Sequence, residues 1–144
     1  MIRSLSIAAL VAYLFVLLAV TLAFKHPQYR PVAERLSLTP FQSIGRDIPR
    51  GGRGLWLNIV GNIAVFAPLG VAFVALGSGR FRWRHAALAG LALSTAIEVI
   101  QFQSGRRFTD VDDVILNTFG TLLGFLAADS LRRLALRRCS GERV

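Results

Sequence analysis

Residues 97–125, "IEVIQFQSGRRFTDVDDVILNTFGTLLGF", gather Glu98, Gln101, Arg106, Arg107, Asp110, Asp113 and Asn117 into one short stretch of an otherwise apolar chain. Asn58 and Asn62 join them from an earlier segment. Carboxylates, amides and guanidiniums in such a set suit three tasks: contacting a phosphate, holding a hard cation, or moving a proton. If a divalent cation binds, its ligands are Glu98, Asp110 and Asp113, because such ions take carboxylate oxygens. Arg106 or Arg107 could instead meet a phosphate directly. No cofactor is otherwise evident. Glu98 could act as a general acid or base, but no nucleophile–base pair accompanies it. His26 and His85 lie outside the cluster, and no serine motif is present. Hydrolysis by an activated water is the only reaction these residues could carry, so the reading leans away from an enzyme.

Spacing assigns the residues to faces. Asn58 and Asn62 are four apart, Glu98 and Gln101 three apart, and each pair shares a helix face. Asp110, Asp113 and Asn117 fall at offsets of three and four, one stripe if the helix begins early. Asp112 points off that stripe, towards water or headgroups. Structural roles weigh against functional ones. Asn58 and Asn62 suit interhelical hydrogen bonds, worth about 1 kcal/mol or less each. Asp110, beside Thr109, suits a helix N-cap. Gly120 and Gly124 form a GxxxG that permits close helix packing. Glu98 is the functional candidate, since a carboxylate inside a span costs roughly 2.5–3.5 kcal/mol at mid-bilayer unless partnered.

The elements that position these residues follow from composition. The 144-residue chain is 53% hydrophobic and 17% charged, with mean hydropathy +0.52. That length suits a single domain, 1–144. Its apolar residues come in blocks approaching bilayer length, at about 5–24, 55–76, 86–102 and 111–131. The expected fold is an all-α membrane protein, a four-transmembrane-helix bundle. The first block competes with a cleaved signal peptide, but it is long for one, and "TLAFKHP" is a poor cleavage site. Residues 25–54 hold four of the five prolines and read as a loop, with a short interfacial helix around Val32 to Leu38. Pro68 should kink the second span. The tail "LRRLALRRCSGERV" reads as a basic helical continuation along anionic headgroups. Cys139 is the one cysteine, which excludes an intramolecular disulfide and a cysteine-based metal site.

A net charge of +9 raises nucleic acid as a partner. The basic residues, however, fall in the gaps between apolar blocks without aromatic interleaving, so they are membrane flanks. Four spans put both termini on one side. With termini inside, nine Lys and Arg lie in the cytoplasm and eight outside, so totals barely discriminate. Density favours cytoplasmic termini, because three arginines crowd residues 79–85 and five crowd the tail. Whichever way the chain faces, the start of span two, the end of span three and the start of span four share one membrane side. The polar faces meet there.

"NIVGNIAVFAPLG", "EVIQ" and "GRRFTDVDDVILNTFGTLLG", with "LSLTPFQSIG" ahead of span two, resemble the VanZ-like family of small bacterial membrane proteins. The resemblance is strongest over 36–128. It implies that Asn58, Asn62, Glu98, Gln101, Asp110, Asp113, Asn117 and one arginine, Arg106 or Arg107, are the family's recurrent polar positions. Pro68, Gly70, Gly120 and Gly124 match its recurrent Pro and Gly positions. The family's named role is low-level teicoplanin resistance, which implies a multi-pass protein of the bacterial cytoplasmic (inner) membrane. The functional expectation is an outward-facing polar pocket engaging a membrane lipid or a lipid-linked cell-envelope precursor. The alternatives are a non-catalytic envelope-assembly partner, a small oligomeric transporter formed by several copies of the chain, and a structural scaffold.

Overall fold

A computed structural model describes residues 2–23, 36–49, 52–77, 79–104 and 109–141. In chain order these form α1 (Ile2–Ala23), β1 (Leu36–Ser37), α2 (Gln42–Asp47), α3 (Arg53–Gly77), α4 (Trp83–Gln103), β2 (Thr109–Asp110) and α5 (Val111–Gly141). Four helices, α1, α3, α4 and α5, are long and apolar enough to cross a membrane. The all-α, four-span architecture expected from the apolar blocks is the observed one. α4 begins at Trp83, three residues before the expected span. There the Arg82 backbone N–H donates to His85 Nδ1 at 3.0 Å, satisfying one of the donors a helix start leaves open. α3 continues through Pro68.

α3 and α5 form the central pair, and three glycines set their separation. A Cβ on Gly120 would lie 2.4 Å from the Ile63 carbonyl oxygen, and one on Gly124 would lie 2.0 Å from that of Ala67. From the other side, a Cβ on Gly70 would meet the Thr121 carbonyl oxygen at 1.9 Å. Only hydrogen fits at these contacts, so the GxxxG serves close packing inside the chain.

α4 covers the pair on one side. Thr121, fully buried, lies against Gly90 of α4, where an added Cβ would approach its hydroxyl to 2.6 Å. α1 is peripheral: 6% of its span is buried, against 33% for α4 and for α5. Its Leu17 packs with Phe66, Leu69 and Ile97, while Phe15 remains 75% exposed. Exposed apolar side chains all along a helix face are what contact with lipid tails requires. Two hydrogen bonds fasten α1. The Tyr13 hydroxyl donates to the Val65 carbonyl at 2.8 Å, and Gln101 Nε2 donates to the Thr21 carbonyl at 2.8 Å.

At the membrane end where α3 and α5 begin and α4 ends, the first loop folds back. Leu36 pairs with Thr109 and Ser37 with Asp110 in a parallel ladder, followed by α2. The expected interfacial helix at 32–38 is therefore displaced. Leu36 and Ser37 are extended because β2 offers them backbone partners, and the short helix lies at Gln42–Asp47. Residues 32–35 lie outside the described residues. We call this end the junction end, and the opposite one the tail end.

Candidate functional site

Each candidate from α3, α4 and α5 reaches the junction end, but they do not form one ligand set. Asn62 Nδ2 donates to Asp113 Oδ1 at 2.8 Å and to Asn58 Oδ1 at 3.1 Å. This links α3 to the first turn of α5, where carboxylates also suit the positive end of the helix dipole. Asn117, one turn further, faces the other neighbour: its Nδ2 donates to Ser94 Oγ of α4 at 2.8 Å. Glu98 is 5% exposed and organises β2. Its Oε2 accepts the Asp110 backbone N–H at 3.1 Å, and its carbonyl accepts the Thr109 hydroxyl at 3.3 Å. Gln101, also buried, turns to α1. Arg106 and Arg107 lie outside the described residues.

Asp110 caps α5 as its type suggests, its Oδ1 accepting the Asp112 backbone N–H at 3.0 Å. With Asp110 turned to a backbone amide, Asp113 to α3 and Glu98 to β2, the three carboxylates do not converge. Among the described residues no three His, Cys, Asp or Glu side chains are placed to hold a metal ion.

Asp112 corrects the sequence reading. Expected to face water or headgroups, it is the most buried carboxylate described, at 1% exposure. Its Oδ1 accepts the backbone N–H of Phe41, and its Oδ2 accepts those of Ser43 at 3.0 Å and Ile44 at 3.2 Å. These are the open donors at the start of α2. The off-stripe direction was right, but the first loop occupies the space on that side. Phe41 precedes α2 with φ 64°, in the left-handed region. There a non-glycine residue is strained by about 1–2 kcal/mol. The carboxylate holds that turn in place.

Ser94 and Thr121 belong to the cluster and escaped the sequence reading, although spacing could have found them. Ser94 lies four residues before Glu98 and seven before Gln101, and all three are buried on one face of α4. Thr121 lies one turn after Asn117, whose carbonyl accepts its hydroxyl at 3.0 Å. Asn117 Oδ1 is buried and has no hydrogen-bond partner among the described residues. An orphaned buried acceptor costs about 1–3 kcal/mol.

The fold and this cluster define a polytopic membrane protein with a polar, acceptor-rich junction at one end of its helices. The chain matches the VanZ/LLP1 family model over residues 9–132 and belongs to that family. No match was found among curated proteins or solved structures.

Proposed function

We propose that the junction end is a binding pocket for the head of a membrane lipid or lipid-linked cell-envelope component, facing outward across the bacterial cytoplasmic membrane. Asn117 carries this reading: its buried Oδ1 lacks a donor among the described residues, beside the buried stripe of Ser94 and Glu98. A wall of acceptors takes hydroxyl or amide N–H donors, as a saccharide or peptide head would present. Arg106 or Arg107, close to Thr109 in the sequence, supplies the cation for a phosphate link between head and lipid. The segment from Leu36 to Asp47, fastened by Asp112, forms the cover. The role is binding, without catalysis. On this reading, any change in teicoplanin susceptibility follows from engaging an envelope lipid.

Purification of the parent and Glu98→Gln in mild detergent, with mass spectrometry of the co-purifying lipids, tests it. The parent should retain a phosphorylated or glycosylated lipid enriched over bulk membrane. Glu98→Gln should lose that enrichment while keeping its melting temperature. Bulk phospholipid alone on both proteins would contradict the proposal.

A scaffold reading is favoured by one observation, the complete engagement of Asp112 with three backbone amides. It requires Glu98→Gln and Asp113→Asn both to lower stability without a selective loss of lipid. If both variants were as stable as the parent yet lipid-free, the scaffold would have to be abandoned.

A further inference from the structure

The tail end carries a second constellation, built from residues that the junction does not use. A cavity of about 560 Å³ opens between the α3–α4 turn and the second half of α5, lined by Arg82, Trp83, Phe125, Leu126, Arg132 and Arg133, among others. Its one carboxylate, Asp129, is held by Arg133 at 2.7 Å. Arg82 and Arg132 have no ion-pair partner among the described residues. Gly79, at φ 86°, brings the turn against Arg132, where an added Cβ would lie 3.2 Å from the guanidinium. The turn and that guanidinium both line the cavity.

Phe81 belongs to two surfaces at once. It lines the basic cavity and also an apolar groove of about 180 Å³ between α1 and α3, with Leu10, Leu69, Ala72, Phe73 and Leu76. Its ring meets that of Phe73 edge-on at 5.1 Å. From Leu76 to Leu69 the groove descends about 10 Å along the helix axis, away from the tail end and into the span. Phe81 therefore stands between a cationic cavity at headgroup level and an apolar groove at acyl-chain level, with the Trp83 indole at the boundary such rings prefer.

We infer that this composite groove is a binding site for an anionic phospholipid. The phosphate lies between Arg82 and Arg132, and one acyl chain passes Phe81 into the groove between α1 and α3. Guanidinium forks suit phosphate oxygens, and a free anion would leave the apolar part unfilled. The site is independent of the junction pocket and of the direction in which the protein faces.

The chain has two tryptophans, so Trp56→Phe leaves Trp83 as a reporter inside the site. That variant is reconstituted in vesicles of phosphatidylcholine and phosphatidylglycerol in which one or the other lipid carries brominated chains. Quenching of Trp83 should show a preference for phosphatidylglycerol of about fivefold or more. Arg82→Ala/Arg132→Ala should bring the ratio close to one, and Arg132→Glu alone should lower it markedly. Arg137→Ala/Arg138→Ala, further along the same tail, should leave it unchanged. Excess inorganic phosphate should not restore the emission. No preference in the parent, equal losses from both arginine pairs, or displacement by inorganic phosphate would each overturn the inference.

Discussion

The carboxylate of Asp112, in the first turn of α5, accepts the backbone N–H of Phe41, 71 positions earlier in the chain. With the Ser43 and Ile44 amides on its second oxygen, it fixes the first loop over the junction end. Asp112→Asn keeps the shape but turns one acceptor into a donor facing donors. It should lower stability by about 2–4 kcal/mol, since charged hydrogen bonds are lost and buried N–H groups are left unpaired. Hydrogen exchange should accelerate at Phe41, Ser43 and Ile44 in particular. Unchanged exchange at those three amides would show that the loop is held by something else.

The α3–α5 contact makes a second prediction. Gly124→Ala drives a methyl into the Ala67 carbonyl, and the helices must separate. A loss of about 3 kcal/mol, the upper part of the usual overpacking range, should appear in detergent unfolding. Gly61→Ala, whose Cβ meets nothing within 4 Å, is the control. It should be neutral or slightly stabilising, because alanine is the better helix former. Equal effects of the two substitutions would remove the close-packing account.

α1 is held more weakly. Gln101→Leu removes its hydrogen bond to Thr21, and Tyr13→Phe removes the one to Val65. Each should cost about 1 kcal/mol or less, the usual worth of such bonds between spans. The double variant should show nearly the sum, because the two contacts engage different helices. A large loss from either single change in thermal unfolding would mean that α1 is integral to the core.

Orientation is open to direct measurement. In a Cys139→Ser background, single cysteines at Thr39, on the loop over the junction, and at Arg80, in the opposite turn, report the two membrane sides. An impermeant maleimide added to intact cells should label the Thr39→Cys protein and spare the Arg80→Cys protein. The reverse pattern would put the junction in the cytoplasm and exclude an outward-facing pocket.

Much of this was legible in the sequence because bilayer-length apolar blocks and polar spacing are local signals. Asn62 as a link between helices, Asp110 as a cap, and the GxxxG took the roles their types and offsets implied, whereas Asn58 bonds Asn62 within α3. The tail continued as helix to Gly141. Asp112 was misjudged because its environment comes from a segment some seventy residues away, and no periodicity in α5 encodes that. The same non-local pairing displaced the expected loop helix: Leu36 and Ser37 became a strand because Thr109 and Asp110 lay beside them. Partners outside the stripe also decide how its carboxylates are held. Asp110 and Asp113 share a stripe, yet nearer partners, one a backbone amide and the other Asn62, turned each carboxylate away.

The most direct test of the pocket places a photoreactive amino acid at Thr109, beside Glu98, and a second at Leu88, exposed on α4. Irradiation in native membranes is followed by mass analysis of the adducts. The Thr109 position should capture a lipid with a phosphorylated or glycosylated head that Leu88 does not, and Glu98→Gln should abolish that adduct. The same bulk phospholipids at both positions, unchanged by Glu98→Gln, would contradict a binding role for the junction.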